Sequence, residues 1–189
     1  MYWIYFLLLI PLSNILPISF GYENGVVETL QLVVLASCIV VIAYGCRLKL
    51  IEWQGNKNAL CYAGVITFFL LIMREISWGR VLILRPDGST SQYSDLGLYG
   101  QLVHPMIVIL IVLALLLLYK ARVWRVFKHI KLRLNYIIAM LLFMVMAKLG
   151  ECHCWSLYSG DLAEELAELG AYMMLLYLLR DGFRQLRMR

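Results

Sequence analysis

The chain has 189 residues, of which 62% are hydrophobic and 15% are charged, and its formal net charge is +5. Soluble domains are about 45–50% apolar, so this composition excludes an ordinary soluble domain and indicates a protein whose main partner is the lipid bilayer. Nucleic acid is excluded as a partner, because most of the 17 basic residues border the connections between apolar segments and form no single patch.

Apolar segments of membrane-spanning length follow one another with short connections. A span needs roughly 20 mostly apolar residues, and lipid requires that its backbone be satisfied internally, which favours helices. The sequence predicts an all-α, polytopic membrane helical bundle that forms a single transmembrane domain over residues 1–189. Its six transmembrane helices are expected at about 1–20, 26–45, 59–80, 102–119, 134–150 and 162–179.

The first apolar segment contains Pro11 and Pro17. Its start carries no basic residue, and no clear small-residue cleavage site follows it. These features favour a span that is retained over a signal peptide. We expect the two prolines to kink this helix, because proline removes a backbone donor and clashes with the preceding turn.

The basic residues predict the orientation of the chain. They border the second and fourth connections and the end of the chain, which is the positive-inside pattern. We therefore expect cytoplasmic N and C termini and a bacterial inner (plasma) membrane location. With this topology, all acidic residues except Glu52 and Asp181 fall outside or in the outer halves of the spans.

The third apolar segment ends in the charged stretch 74–80. Within it, Glu75, Trp78 and Gly79 are three and four residues apart, which predicts one shared helix face. A carboxylate at a helix C-terminal end opposes the helix dipole, and it is costly to bury without a partner. The candidates for that partner are Arg74, Arg80, Lys148 and a bound cation.

Polar residues recur near the expected outer ends of five spans. Ionisable groups within a membrane usually face a bundle interior or a water-filled cavity, so this recurrence predicts an outward-facing polar chamber. The candidate ligand-binding residues are Glu28, Gln31, Glu75, Trp78, Arg80, His104, Glu151, Glu165 and Glu168. A plainer interpretation stays open, since acidic residues are favourable in the first turns of helices and a lone histidine is more often structural.

A divalent metal is a candidate cofactor. Carboxylate and imidazole groups on separate helices can hold iron, manganese or zinc. The sequence contains neither paired Glu-x-x-His motifs nor H-E-x-x-H, so it identifies no particular metal. The candidate metal ligands are Glu75, His104, Glu165 and Glu168.

The segment Glu75-Ile76-Ser77-Trp78-Gly79 resembles a motif of uncharacterised bacterial multi-pass inner-membrane proteins, which usually reads E-E-I-S-W-G-Q-R. The resemblance covers these five residues. Arg74 stands where that motif has its first glutamate, and Arg80 stands where it has glutamine. The resemblance implies an inner-membrane location but no reaction. The counterparts that it implies for polar residues in the other spans are Glu28, His104, Glu165 and Glu168.

Several functions remain open at this point. The favoured one is binding of a small polar ligand, cation or lipid headgroup in the chamber. The alternative is a membrane-embedded, metal-dependent enzyme acting on a lipid or envelope precursor, with Glu75 or His104 as the acid–base group and Arg74 or Arg80 holding a phosphate. Further alternatives are a transporter, against which the apolar inner halves of the spans count, and an assembly subunit that binds membrane-protein partners or forms a homo-oligomer.

Overall fold

The structure is a computed structural model that describes residues 2–21, 25–47, 57–82, 92–124, 133–152 and 160–187. Within these ranges the chain forms six α-helices and no strands, so the all-α fold class is confirmed. The helices are α1 (Tyr2–Ile15), α2 (Val26–Arg47), α3 (Lys57–Glu75), α4 (Gly97–Lys120), α5 (Leu134–Glu151) and α6 (Gly160–Arg187). Short 3₁₀ segments cover Ile18–Gly21, Ser77–Leu82 and Tyr93–Leu96.

Four of these helices, α2 to α5, are long and apolar enough to cross a membrane. The chain is therefore a transmembrane protein. Helix α1 is apolar but has only 14 residues, and α6 is interrupted by charged residues along its length. The six spans and the cytoplasmic termini stay predictions, and the connections at 48–56 and 125–132 lie outside the described residues.

Proline determines where α1 ends. Pro11 lies inside this helix, whereas the helix stops at Ile15, two residues before Pro17. The residue that precedes a proline is disfavoured in helical conformation, because the proline ring crowds its backbone and Cβ. The 3₁₀ segment Ile18–Gly21 follows, so the expected span 1–20 consists of a 14-residue helix and a separate short turn.

The chain after α3 corrects the expectation of one continuous helix face. Helix α3 ends at Glu75, and the next residues turn into the left-handed region, with φ of 46° at Ser77, 55° at Trp78 and 82° at Gly79. Such angles are unfavourable for residues with a Cβ. Glu75, Trp78 and Gly79 therefore do not share a helix face.

Helix α4 begins earlier than the sequence indicated. It starts at Gly97, where a φ of 56° permits a sharp change of direction from the preceding 3₁₀ segment. Pro105 therefore lies inside the helix and not near its start. Because proline has no N–H, the carbonyl of Gln101 has no helical donor from the following turn.

The chain divides into two compact units. The first unit comprises Met1–Ser37 and Leu132–Gly182. Its core lies among α1, the start of α2, α5 and α6, and small residues let these helices approach closely. A Cβ on Gly170 of α6 would lie 2.7 Å from the ring of Phe143 on α5. The core residues include Leu9, Val27, Ala139, Phe143, Ala147, Leu162, Ala163, Leu166, Ala167 and Met174.

The second unit comprises Cys38–Lys131 and Phe183–Arg189. Helix α3 packs along α4 within it. At the end of α2, Gly45 lies against the ring of Phe183, where an added Cβ would come within 2.8 Å of three ring atoms. Cys46 of α2 and Cys61 of α3 lie close to each other.

Candidate functional site

A polar contact between α2 and α6 lies inside the first unit. Gln31 of α2 is 0% exposed. Its Nε2 donates to the backbone carbonyl of Glu165 at 2.9 Å and to the Oε2 of the same residue at 2.8 Å. Both amide hydrogens are therefore used by one residue of α6. We call Gln31, Glu165 and the neighbouring Glu28 the Gln31 cluster.

The second polar atom of the Gln31 side chain has no such partner. Its Oε1 is buried and accepts no hydrogen bond from the residues that the structure describes. Leaving a buried acceptor unpaired costs about 1–3 kcal/mol. The orientation of the amide is fixed by its two acceptors on Glu165, because turning it over would place oxygen against oxygen. The free oxygen is therefore a fixed acceptor.

Two carboxylates accompany this acceptor. Glu28 lies one turn before Gln31 on α2 and is 6% exposed, and Glu165 is half-buried. Both residues take part in further polar or electrostatic interactions. Carboxylate and amide oxygens are the ligands that hard cations prefer. The Gln31 cluster thus offers a negatively charged, oxygen-rich surrounding to a donor group or a cation.

Two further candidates of the first unit lie in different settings. Glu168 is half-buried one turn after Glu165 on α6 and has a polar or electrostatic interaction of its own. Glu151 forms an ion pair with Lys148 at 2.6 Å, and its side chain is 55% exposed. Exposed pairs of this kind contribute little to stability. Glu151 is therefore a surface residue of α5.

The second unit contains the turn that follows α3. Trp78 is buried despite its left-handed backbone. Its carbonyl accepts a hydrogen bond of 2.7 Å from the hydroxyl of Tyr99 on α4. Backbone strain of this kind costs about 1–3 kcal/mol and persists only where the surroundings impose it. Burial of the indole and the tyrosine hydrogen bond together hold the turn.

Glu75 lies immediately before this turn. Its side chain is 6% exposed, and its Oε1 lies 3.6 Å from Nη1 of Arg74. That distance makes an ion pair but is too long for a good hydrogen bond. Arg74 is thus one of the partners expected for Glu75, and the glutamate also lies at the C-terminal end of α3 as expected.

Arg80, Tyr93 and His104 form the second polar feature of this unit, which we call the Arg80 cluster. The guanidinium carbon of Arg80 lies 4.7 Å from the centre of the Tyr93 ring. The ring of His104 meets the same tyrosine at 5.3 Å with an interplanar angle of 62°. Cation–π contacts contribute about 0.5–2 kcal/mol. A cation and an imidazole thus pack on a single aromatic ring.

The described residues can also be compared with the ligand groupings that are typical of a metal centre. Across the described ranges, no set of three or more histidine, cysteine, aspartate and glutamate side chains is placed to hold a metal ion. His104 packs on an aromatic ring, and Glu75 pairs with an arginine. The metal site expected from Glu75, His104, Glu165 and Glu168 stays a prediction.

Sequence reasoning missed the two tyrosines that organise the second unit. Tyr93 carries the Arg80 cluster and Tyr99 holds the turn at Trp78. Gly100 was missed as well, although a Cβ there would lie 1.8 Å from the carbonyl oxygen of Tyr93. No periodic pattern marks these residues, because each acts through a tertiary contact.

No protein-family model, no curated protein and no solved structure matches this chain.

Proposed function

We propose that this chain is a multi-pass protein of a bacterial inner membrane that binds a small cation at the Gln31 cluster. The ligand class is an alkali-metal ion or a primary ammonium group. Four apolar helices and the distribution of basic residues support the membrane location and orientation. The outward-facing chamber expected from the sequence stays a prediction.

The observation that carries this proposal is that the buried Oε1 of Gln31 accepts no hydrogen bond from any residue that the structure describes. An acceptor that is fully buried and fixed in orientation is stabilised by a donor or a cation. The adjoining carboxylates of Glu28 and Glu165 favour positive charge over a neutral donor. Further acidic residues on the first turns of α6 add to the negative potential; these are Asp161, Glu164 and Glu168.

Anions are poor candidates for the same place. A phosphate or carboxylate would meet both the Gln31 oxygen and the acidic side chains, and like charges at short distance are repulsive. A neutral hydroxyl compound could donate a hydrogen bond to the Gln31 oxygen, but it would not balance the negative charge of the carboxylates. The cation therefore satisfies more of the cluster than either alternative.

Ion-dependent stability tests the proposal. The purified full chain in detergent is unfolded by heat in sodium, potassium, ammonium or N-methylglucamine chloride at constant ionic strength. A bound ion should raise the unfolding midpoint, with a stabilisation of about 2.7 kcal/mol when its concentration is 100 times its Kd. N-methylglucamine, which is too bulky for a buried site, should give no such increase.

Matched variants locate the effect. Gln31→Met and Glu165→Gln should each abolish the difference between the small cation and N-methylglucamine, whatever their own unfolding midpoints. Glu151→Gln removes an exposed carboxylate of the same unit and should keep the full difference. An ion effect of equal size in all four proteins, or no ion effect in the natural chain, would contradict the proposal. The enzyme, transporter and assembly-subunit alternatives stay predictions.

A further inference from the structure

The Arg80 cluster lies in the second unit and is independent of the proposed cation site. Among the residues that the structure describes, the only partner of the Arg80 side chain is the ring of Tyr93. Its Nε is shielded from solvent and has no acceptor there. A guanidinium cannot lose its charge in a protein. A permanent cation at this position therefore lacks a described anion.

The Arg80 cluster contains the kinds of side chain that commonly bind a phosphate group. The centre of the Tyr93 ring lies 4.7 Å from the guanidinium carbon of Arg80. The planar fork of a guanidinium matches two oxygens of a phosphate. His104, on the same tyrosine, is exposed and carries a ring N–H in either protonation state. Two donors thus accompany one aromatic ring.

The surroundings indicate which molecule carries the phosphate. Arg80 follows the end of the membrane-spanning helix α3, and His104 lies in the first third of α4. Val108 and Ile111 lie four and seven residues after His104, on the same face of α4, and are exposed, at 59% and 44%. Exposed apolar side chains on the face that carries a donor suit a molecule with a charged head and an apolar tail. Tyr99 adds the amphipathic aromatic group typical of a membrane interface.

We propose that Arg80 and His104 bind the phosphate group of an anionic phospholipid, with the acyl chains along the exposed face of α4. Tyr93 positions both side chains and does not itself bind the phosphate. The chemistry recognised is the phosphate itself, so free inorganic phosphate is a competing source. A zwitterionic phospholipid offers the same phosphate with less net negative charge and is expected to bind more weakly.

Native mass spectrometry of the full chain tests this inference. The protein is released from mixed micelles that contain equal amounts of dioleoyl-phosphatidylglycerol and dioleoyl-phosphatidylcholine, and the retained lipids are counted. We expect phosphatidylglycerol to be retained about tenfold over phosphatidylcholine. Arg80→Gln should remove most of this preference, and Arg80→Lys should restore only part of it, because an ammonium keeps the charge without the fork.

A second arm and a matched control separate the sources of the effect. Inorganic phosphate is added at increasing concentration; displacement of phosphatidylglycerol at millimolar phosphate would assign the site to the free ion. Lys120→Gln removes one positive charge from the other end of α4 and should leave the preference intact. If Lys120→Gln and Arg80→Gln reduce it equally, the effect is one of net charge, and the inference is overturned.

His104→Gln tests the proposed phosphate site if Arg80→Gln fails to fold. His104 is exposed, so its replacement should preserve the fold and lower lipid retention about threefold. No preference for phosphatidylglycerol in the natural chain, together with no response to inorganic phosphate, would overturn the inference as well. If a folded His104→Gln protein keeps the full preference for phosphatidylglycerol, His104 is not part of the site and the inference of a two-residue site is overturned.

Discussion

Helices α4 and α6 differ in a way that is the reverse of the pattern in soluble proteins. Helix α4 is the more apolar of the two, yet Gly100, Val103 and Ala114 are its only buried residues in the described range. Helix α6 carries acidic residues in its first turns, yet most positions from Leu162 to Met174 are buried. The apolar helix presents side chains outward, while the polar helix lies among other helices.

The difference follows from the solvent. Moving a leucine from lipid into the protein interior gives almost no hydrophobic free energy, because both surroundings are apolar. Which side chains are buried is therefore decided by close packing and by polar groups that need partners. Helix α6 supplies both, through Ala163, Ala167 and Gly170 on one side and Glu165 on the other. The helix with the weaker membrane signal is therefore a central packing element of the first unit.

The largest expected effect contrasts two leucines on these helices. Leu162 of α6 is 1% exposed and Leu116 of α4 is 60% exposed. Leu162→Ala should lower the free energy of unfolding by about 2–4 kcal/mol, because it opens a cavity among packed helices. Leu116→Ala should change it by less than about 0.5 kcal/mol. Unfolding in mixed micelles by increasing SDS measures both, and equal losses would abolish the contrast.

A polar residue gives the next largest effect. Gln31→Met keeps the size of the side chain but removes both hydrogen bonds to Glu165. It also removes the unpaired oxygen, which offsets part of the loss. We expect a decrease of about 1–2 kcal/mol in the free energy of unfolding, measured in the absence of small cations. A more stable variant would show that the polar contact is not what holds α6 to α2.

Removing the hydroxyl of Tyr99 tests the hydrogen bond that joins α4 to the turn after α3. Tyr99→Phe removes its hydrogen bond to the Trp78 carbonyl and nothing else. The loss should be about 0.5–1.5 kcal/mol. Trp78 fluorescence should also shift to longer wavelength as the turn loosens, which can be followed in a protein whose other tryptophans are replaced by phenylalanine. Unchanged stability and emission would mean that packing alone holds the turn.

The smallest effect is expected at the exposed end of α5. Glu151→Gln removes the ion pair with Lys148. The side chain of Glu151 is 55% exposed and that of Lys148 is 67% exposed. Solvent screening should leave the unfolding midpoint unchanged at ordinary salt. A large decrease in the midpoint would show that Glu151 contributes to stability as the half-buried glutamates of α6 are expected to, which would contradict the contrast between exposed and packed helix ends.

The fold class and part of the site follow from the sequence. Apolar length alone predicts the helices that begin at Val26 and Leu134, and both begin there. Gln31 and Glu165 were predicted as site residues, but their hydrogen bonds span 134 residues of sequence. Spacing along a helix identifies which side chains share a face. It does not identify which residue of a distant helix meets them.

The turn after Glu75 was not predictable for a different reason. Local preference favours continuing the helix through Ser77 and Trp78, since residues with a Cβ avoid positive φ. The observed turn depends on a tyrosine 21 residues further along the chain. The fourth span was expected to begin at about residue 102, whereas α4 begins at Gly97 and contains Pro105.

The contact between Gly100 and Tyr93 has a consequence for binding kinetics. A Cβ at this glycine would overlap the carbonyl oxygen of Tyr93, so the backbone of Tyr93 lies directly against the first turn of α4. We expect this contact to hold the ring under Arg80 in position before any ligand arrives. A ligand at a preorganised contact loses less entropy on binding. Affinity differences among related ligands should accordingly appear in their dissociation rates and hardly in their association rates.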